Sequence, residues 1–342
     1  MKSCYIQNVS SISPQPTFSG DGFLDVIAGK NPENPYLSAI EPDYKACIQD
    51  AGLRRRMSHV VKMGVAAALA CVKGSSVDNP DAIVTATGLG CLADTEKFLN
   101  SIVVNHEQLL NPTAFIQSTF NTIGAQIALI LKNKGYNFTY VHRGFSFETA
   151  LLDAMMQMAD GEAGHVLVGA IDEVTASEYE VMRRMGFWRR GAVMGEGAQF
   201  FMLSAEKEVG SYARLRDVDQ FLLADNDTAD GRIASFLKRN SVTVDDLDLV
   251  ILGNSGDARL DVPFLNLRNG MFANLPTTQF KHLCGECQTA ASFGVWCAAN
   301  ILKRQELPSA MKPSGRTHVY RRVLLYNSYR GVNHSLFLLE AV

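Results

Sequence analysis

Three short stretches of the chain carry residue types that could do chemistry. The run Gly144-Phe145-Ser146-Phe147-Glu148 follows an apolar strand pattern and opens a helical one. A nucleophile elbow, Gly-x-Ser-x-Gly, exposes its hydroxyl at such a strand-to-helix turn. Glu148 stands where the elbow needs its last glycine, and His142 is the nearby candidate base. Ser146 is therefore open to two readings: a nucleophile of acyl transfer or hydrolysis, or a cap on the helix that follows. Cys284-Gly285-Glu286-Cys287 is a Cys-x-x-Cys, a spacing used in redox and metal sites. Zinc needs a second pair of ligands, and only His282 is close in sequence, so small buried thiols are expected and no metal. Gly195-Glu196-Gly197 resembles a phosphate loop only superficially, because it leads into a strand and not a helix. It reads as a tight turn in which Glu196 satisfies backbone donors. Lys281 reads as half of a structural ion pair.

These stretches need a scaffold, and the hydrophobic periodicity outlines one. Strands are predicted over 4–9, 82–86, 138–142 and 165–171, with residues 10–14 as a turn after the first. Helices are predicted over 57–73, 92–104, 121–133 and 146–160. Ser58 and Gly74 would bound the first of these. The second half repeats the style, with strands at 198–204, 212–218, 248–252, 322–328 and 335–340 and helices at 229–239 and 288–303. Strands alternating with helices over short connections predict an α/β fold with a mostly parallel sheet covered on both faces. Residues 80–90 and 245–256 share an acidic lead, an apolar strand and a glycine turn, a sign of two related halves. No low-complexity linker separates them. The expected division is 1–195 and 196–342, packed as one unit.

Composition narrows the function. The chain has 342 residues, 47% hydrophobic and 20% charged, enough apolar material for a large core. A formal net charge of −3 gives no basis for nucleic-acid binding. Arg54-Arg55-Arg56 and Arg189-Arg190 interrupt the balance. They read as solvated or ion-paired faces, or as a dock for an acidic carrier protein. Seven cysteines, several inside apolar runs, suit a reducing compartment. The N-terminus shows no apolar signal region, and no run of apolar residues is long enough to span a membrane. A cytoplasmic location is expected.

Six segments, in order, carry a resemblance to a known family. Tyr5-Ile-Gln-Asn-Val-Ser-Ser-Ile-Ser-Pro14 resembles an opening strand and Ser-Pro turn of the β-ketoacyl-(acyl carrier protein) synthases. Arg56-Met-Ser58 resembles the start of their first long helix, and Phe115 to Ala128 the helix before the nucleophile. Gly135-Tyr-Asn-Phe-Thr139 resembles the strand leading to it. Gly191-Ala-Val-Met-Gly195-Glu196-Gly197-Ala198 is similar to the family's Gly-Phe-Val-Met-Gly-Glu-Gly-Ala, and Asn327-Ser-Tyr329-Arg-Gly331-Val-Asn333 to its glycine-rich Asn-Ser-Phe…Asn turn. The resemblance implies a thiolase-type layered α-β-α-β-α fold with two pseudo-duplicated halves, and no cofactor.

It also implies where a Cys-His-His set should stand. Counted without gaps, the cysteine position falls on Gly144, a slip of one or two residues gives Phe145 or Ser146, and none of these is cysteine; the first histidine falls on Asn254 and the second on Glu286, with Lys281 retained and Asp261 matching a family aspartate. Condensation needs an acyl thioester on a nucleophile and donors for a developing enolate. Gly144 cannot carry the acyl group, an ionised Glu286 would repel the enolate, and Asn254 cannot cycle a proton. The segments 174–187 and 261–281 are also short for the family, which argues against an ordinary acyl tunnel. Chain-length factors share this loss of the cysteine and pair with an active ketosynthase. The resemblance thus implies a catalytically silent subunit. Its partners would be an active ketosynthase or a second copy of itself, together with an acyl carrier protein. Phe115, Phe120, Phe145 and Phe147 would line a tunnel or interface, or belong to an ordinary core.

Overall fold

The apolar run of each strand decides its depth in the sheet. A computed structural model describes residues 4–18, 23–29, 34–188, 190–224, 227–315 and 319–342. The strands are β1 (Cys4–Ile12), β2 (Ala82–Ala86), β3 (Tyr136–Tyr140), β4 (His165–Asp172) and β5 (Gly197–Ser204), then β6 (Ala213–Phe221), β7 (Leu249–Leu252), β8 (Thr277–Gln279), β9 (Arg322–Tyr329) and β10 (Asn333–Glu340). The all-apolar Leu249-Val-Ile-Leu252 and Ala82-Ile-Val-Thr-Ala86 are buried on both faces, whereas β3, with alternating aromatics, lies at an edge and is partly exposed. Between the strands run α1 (Tyr44–Cys47), α2 (Ala51–Arg56), α3 (His59–Lys73), α4 (Leu92–Val104), α5 (Pro112–Gln117) and α6 (Thr122–Leu131). They are followed by α7 (Ser146–Asp160), α8 (Ala176–Arg184), α9 (Ala229–Arg239), α10 (Val262–Asn269), α11 (Lys281–Cys284) and α12 (Ala291–Arg304).

The strand order β3-β2-β4-β5-β1-β6-β10-β9-β7-β8 is its own duplicate. Read from the opposite edge, β8-β7-β9-β10-β6 repeats β3-β2-β4-β5-β1, with the same parallel and antiparallel pairings. The halves meet where Cys4–Ile6 of β1 pairs with Ala213–Leu215 of β6. The segments that looked alike in sequence hold β2 and β7, which occupy equivalent places. The strand repeat turns over between Ser204 and Ala213, beyond the division expected at 195, because β5 completes the first set. The sheet is mixed and not mostly parallel: helix crossovers make β2–β3, β2–β4, β7–β8 and β7–β9 parallel, while β5 and β10 run back against their neighbours.

Side-chain alternation distributes the strands' apolar residues over distinct layers. Val84, Val166 and Phe201 of the first half and Ile251, Leu325 and Phe337 of the second share one core with α7 and α12, which form the central layer. Ile83, Leu167 and Phe200 point the other way, onto α3 and α6. Val250, Leu324 and Leu336 likewise face α9 and α10. This is the α-β-α-β-α layering. Helix α3 is buried on most sides, as its run of Val and Ala predicts, and its core glycine lets the helix approach Ile123 of α6. The first strand runs through the residues expected to turn, because Ser10 and Ser11 pair with β5. Among the described residues, no helix is long and apolar enough to cross a membrane.

Candidate functional site

Two of the three positions implied by the family pattern, Gly144 and Glu286, lie near the end of β9. Gly144 is buried at the N-terminus of α7, in a short 3₁₀ turn over Arg143–Phe145. Arg143 enters that turn with φ 50°, a left-handed conformation that costs a non-glycine residue about 1 kcal/mol or more. A Cβ added at Gly144 would lie 2.7 Å from both Cβ and Cδ1 of Tyr329, the last residue of β9. The tyrosine therefore fills the room in which a nucleophilic side chain at 144 would stand. Burial raises the Tyr329 hydroxyl's pKa, and negative Glu286 and Asp172 push the same way.

Glu286 lies next to this plug. Its Oε2 accepts from Lys281 Nζ at 2.9 Å, and the same ammonium donates to the Ser328 carbonyl at 2.8 Å. Both side chains are buried. Burial raises the Glu286 carboxyl's pKa, opposed by Lys281. A pair so placed leaves the ammonium little freedom to meet a substrate. Glu148 is buried nearby on α7, accepts from Ser335 Oγ at 2.7 Å, and is pushed up to about 7 by burial. Oε1 of Glu286, Oε2 of Glu148, Asn327 Oδ1 and Ser328 Oγ find no hydrogen-bond partner among the described residues. Asn254 is half-buried in the loop after β7, and that loop is held by Asp261, which accepts from the Ser255 and Gly256 N–H groups at 2.8 and 2.9 Å.

The glycine-rich segment positions Glu286. Met194 forms a parallel bridge with it, with the Glu286 N–H donating to the Val193 carbonyl and the Gly195 N–H donating to the Glu286 carbonyl. A Cβ at Gly195 would collide with the Cys284 carbonyl, so only glycine lets the two chains touch. The tight turn expected at 195–197 is thus an extended crossing that feeds β5. Glu196 does satisfy backbone donors, the N–H groups of Ala39 and Val174 at 3.0 Å each, and it faces His59 Nε2 at 3.3 Å. His59 also meets Glu41 at 2.9 Å. Its pKa is raised to about 9, chiefly by the Glu196 hydrogen bond against a smaller desolvation cost.

Other expected sites fall apart or become core. Ser146 is fully buried and begins α7 instead of capping it: its hydroxyl accepts from the His142 N–H at 2.7 Å and donates to the Arg143 carbonyl at 2.8 Å. The His142 ring packs edge-on against Phe145. Phe147 belongs to the central core, its ring tilted against those of Phe201 and Phe337, and Phe145 is buried too. Phe115 and Phe120 are half exposed, the first against Phe98 and the second over Gly90. Asn333 opens β10 and pairs with Tyr329. Burial raises the pKa of the Cys284 and Cys287 thiols, and among the described residues no cluster of ligands could hold a metal. Arg55 and Arg56 are exposed at the end of α2, and Arg54 is drawn back to the Ile48 carbonyl. Arg190 is exposed, and Arg189 lies outside the described residues.

Sequence reasoning missed Tyr329 as a plug and Arg143 and Arg330 as neighbours of it. Both arginines, with Tyr329, line a cleft of about 530 Å³ above the buried site. Tyr329 did stand inside a quoted motif, but nothing in that motif shows which way its ring turns.

The family model described as "Beta-ketoacyl synthase, N-terminal domain" matches residues 32–215. No curated protein sequence matches the chain. Among solved structures, the ishigamide ketosynthase/chain length factor superposes with a TM-score of 0.75 at 16% identity, covering 100% of this chain and 99% of that one. A β-ketoacyl synthase from Burkholderia phymatum STM815 superposes with a TM-score of 0.74 at 14% identity, with full coverage of both chains. A ketosynthase in complex with its chain length factor from Xenorhabdus doucetiae gives a TM-score of 0.73 at 16% identity, covering 100% of this chain and 98% of that one. At these identities the likeness is one of fold.

Proposed function

Because the chain belongs to the β-ketoacyl synthase family, we propose that it is a non-catalytic, chain-length-factor-like subunit that pairs with an active ketosynthase. One observation carries this reading: the Tyr329 ring occupies the space beside Gly144. A glycine offers no nucleophile, and the plug leaves no room for an acyl thioester at the helix tip. The buried Lys281–Glu286 pair adds to this, since a carboxyl group stands where the family pattern places an imidazole.

The edge strand β3 supports the pairing. Among the described residues it pairs with no strand besides β2, so its outer side presents unpaired backbone groups. Tyr136 and Phe138 are about half exposed on it and stack at 6.1 Å, with Tyr140 beside them. A second sheet added there would extend across both subunits. Close in sequence to this strand, α5 and α6 border an apolar groove of about 480 Å³ with Met57, Val61, Ile116 and Leu129 on its walls. Such a groove suits one wall of a chain-holding tunnel whose reactive end lies in the partner. Exposed Arg55 and Arg56 suit an acidic carrier protein. All seven cysteines are free, as a cytoplasmic setting requires. In the absence of a synthase the chain would pair with itself.

Co-expression with a Cys-His-His ketosynthase encoded beside it tests the reading. A stable heterodimer that makes chains of defined length is the expected outcome. A chain that never associates with such a synthase, and that condenses acyl groups alone, would contradict it.

A further inference from the structure

The cleft above Tyr329 carries an inference that holds whether or not the chain pairs with a synthase. Tyr329 lines the cleft, and the same side chain stands against Gly144, which offers no nucleophile to whatever enters. Two guanidinium groups nevertheless line it, those of Arg143 and Arg330. Both residues have left-handed backbones, φ 50° and 56°, at the 3₁₀ turn before α7 and the hairpin between β9 and β10. Among the described residues neither forms an ion pair with a carboxylate. The Arg330 guanidinium lies over Phe187, its Cζ 3.4 Å from the ring centroid, with one nitrogen 4.0 Å from Met182 Sδ. Arg330 also hydrogen-bonds the Tyr329 side chain and its charge is felt by Glu286, and its remaining N–H donors are those it can offer an oxyanion. Met182, Met185 and Phe187 supply an adaptable apolar wall beside the charges. The volume lies within the range of small-molecule sites, roughly 300–1,000 Å³.

We propose that the cleft formed by Arg143, Arg330, Met182, Met185 and Phe187 is a receptor site for an aliphatic carboxylate, with the carboxylate held by the two arginines and the chain laid on the methionines and the phenyl ring. Two guanidinium groups, neither in an ion pair among the described residues, beside an apolar wall select an amphiphile over a simple anion or a simple hydrocarbon. Carboxylate is favoured because the planar guanidinium fork matches it with two parallel hydrogen bonds.

Calorimetric titration of the full chain with decanoate, decanol and inorganic phosphate tests this. Decanoate is expected to bind saturably at one site, while decanol and phosphate give no saturable heat over the same concentrations. Arg143→Gln should weaken decanoate about tenfold, the loss of one charge-assisted contact of about 1.4 kcal/mol. Arg143 is exposed, so this variant leaves the packing intact, and Arg330→Gln should weaken binding at least as much. The proposal is overturned if decanoate gives no saturable heat, if decanol or phosphate binds as tightly as decanoate, or if Arg143→Gln binds decanoate like the unaltered chain.

Discussion

The tip of α7 and the edge strand β3 belong to the same half of the molecule and are built on opposite terms. At the tip the reactive positions are packed: Gly144 against Tyr329, Ser146 bonded to backbone on both sides, and Lys281 closed onto Glu286. At the edge, backbone groups and aromatic faces are left open. In an enzyme of this family the tip would be the open place. Here, on the proposed reading, reactivity has been packed away while the surface suited to a partner remains.

The comparison breaks most visibly at Lys281. Replacing it with Met leaves Glu286 buried without its cation and should cost about 3–5 kcal/mol in urea unfolding. A loss under about 1 kcal/mol would mean that the tip is wet and loosely held. Gly144→Cys comes next, at about 1–3 kcal/mol from overpacking against Tyr329. Pairing it with Tyr329→Ala should recover part of that loss, and strictly additive effects in the double-mutant cycle would deny the contact.

The pH dependence sharpens the contrast on a finer scale. The folded pKa of Glu148, about 7, is above the ordinary 4.5, so the native state holds that proton more tightly than the unfolded chain. Its contribution is full below about 4.5 and is lost as pH rises through about 7; Glu148→Gln should shrink the decline over that window, which Glu173 and Glu178, raised by burial to about 7 and about 8, share. His59 has the same sign higher up: its contribution is full below about 6.5 and fades through about 9, and His59→Gln should remove the alkaline decline. A chain whose stability is flat from pH 5 to 9 in urea titrations contradicts both assignments. The smallest stability effect is expected at the open edge. Phe138→Lys should shift unfolding by about 0.5 kcal/mol or less while abolishing association in sedimentation. Retained association would move the partner surface elsewhere.

The sequence shows the scaffold more fully than the site, for physical reasons. Helices α4, α7 and α9 begin and end at their predicted residues, because amphipathic periodicity and chain-breaking neighbours are local signals. Strand β1 outran its expected end because Ser10 and Ser11 are held by pairing with β5, a distant partner that local polarity does not reveal. The short β8 escaped notice for the same reason, its three residues being defined by β7. At the site, Gly144 stands against Tyr329, and Glu286 pairs with Lys281, which also reaches the Ser328 carbonyl. The plug itself depends on the rotation of one ring at a strand end. The arginine cleft depends on two left-handed arginines that residue preferences would not place there. Phe147 reads equally as tunnel or core, and only its contacts with Phe201 and Phe337 decide for core.

The central claim is that this chain cannot carry the growing acyl group. Intact-mass spectrometry of the purified chain, alone and together with its ketosynthase partner, after incubation with acyl- and malonyl-loaded carrier protein, tests it most directly. The account predicts that the acyl mass appears on the partner alone and that the isolated chain releases no CO₂ from malonyl-carrier. An acyl adduct on this chain, at Ser146 or at any cysteine, together with CO₂ release, would contradict it.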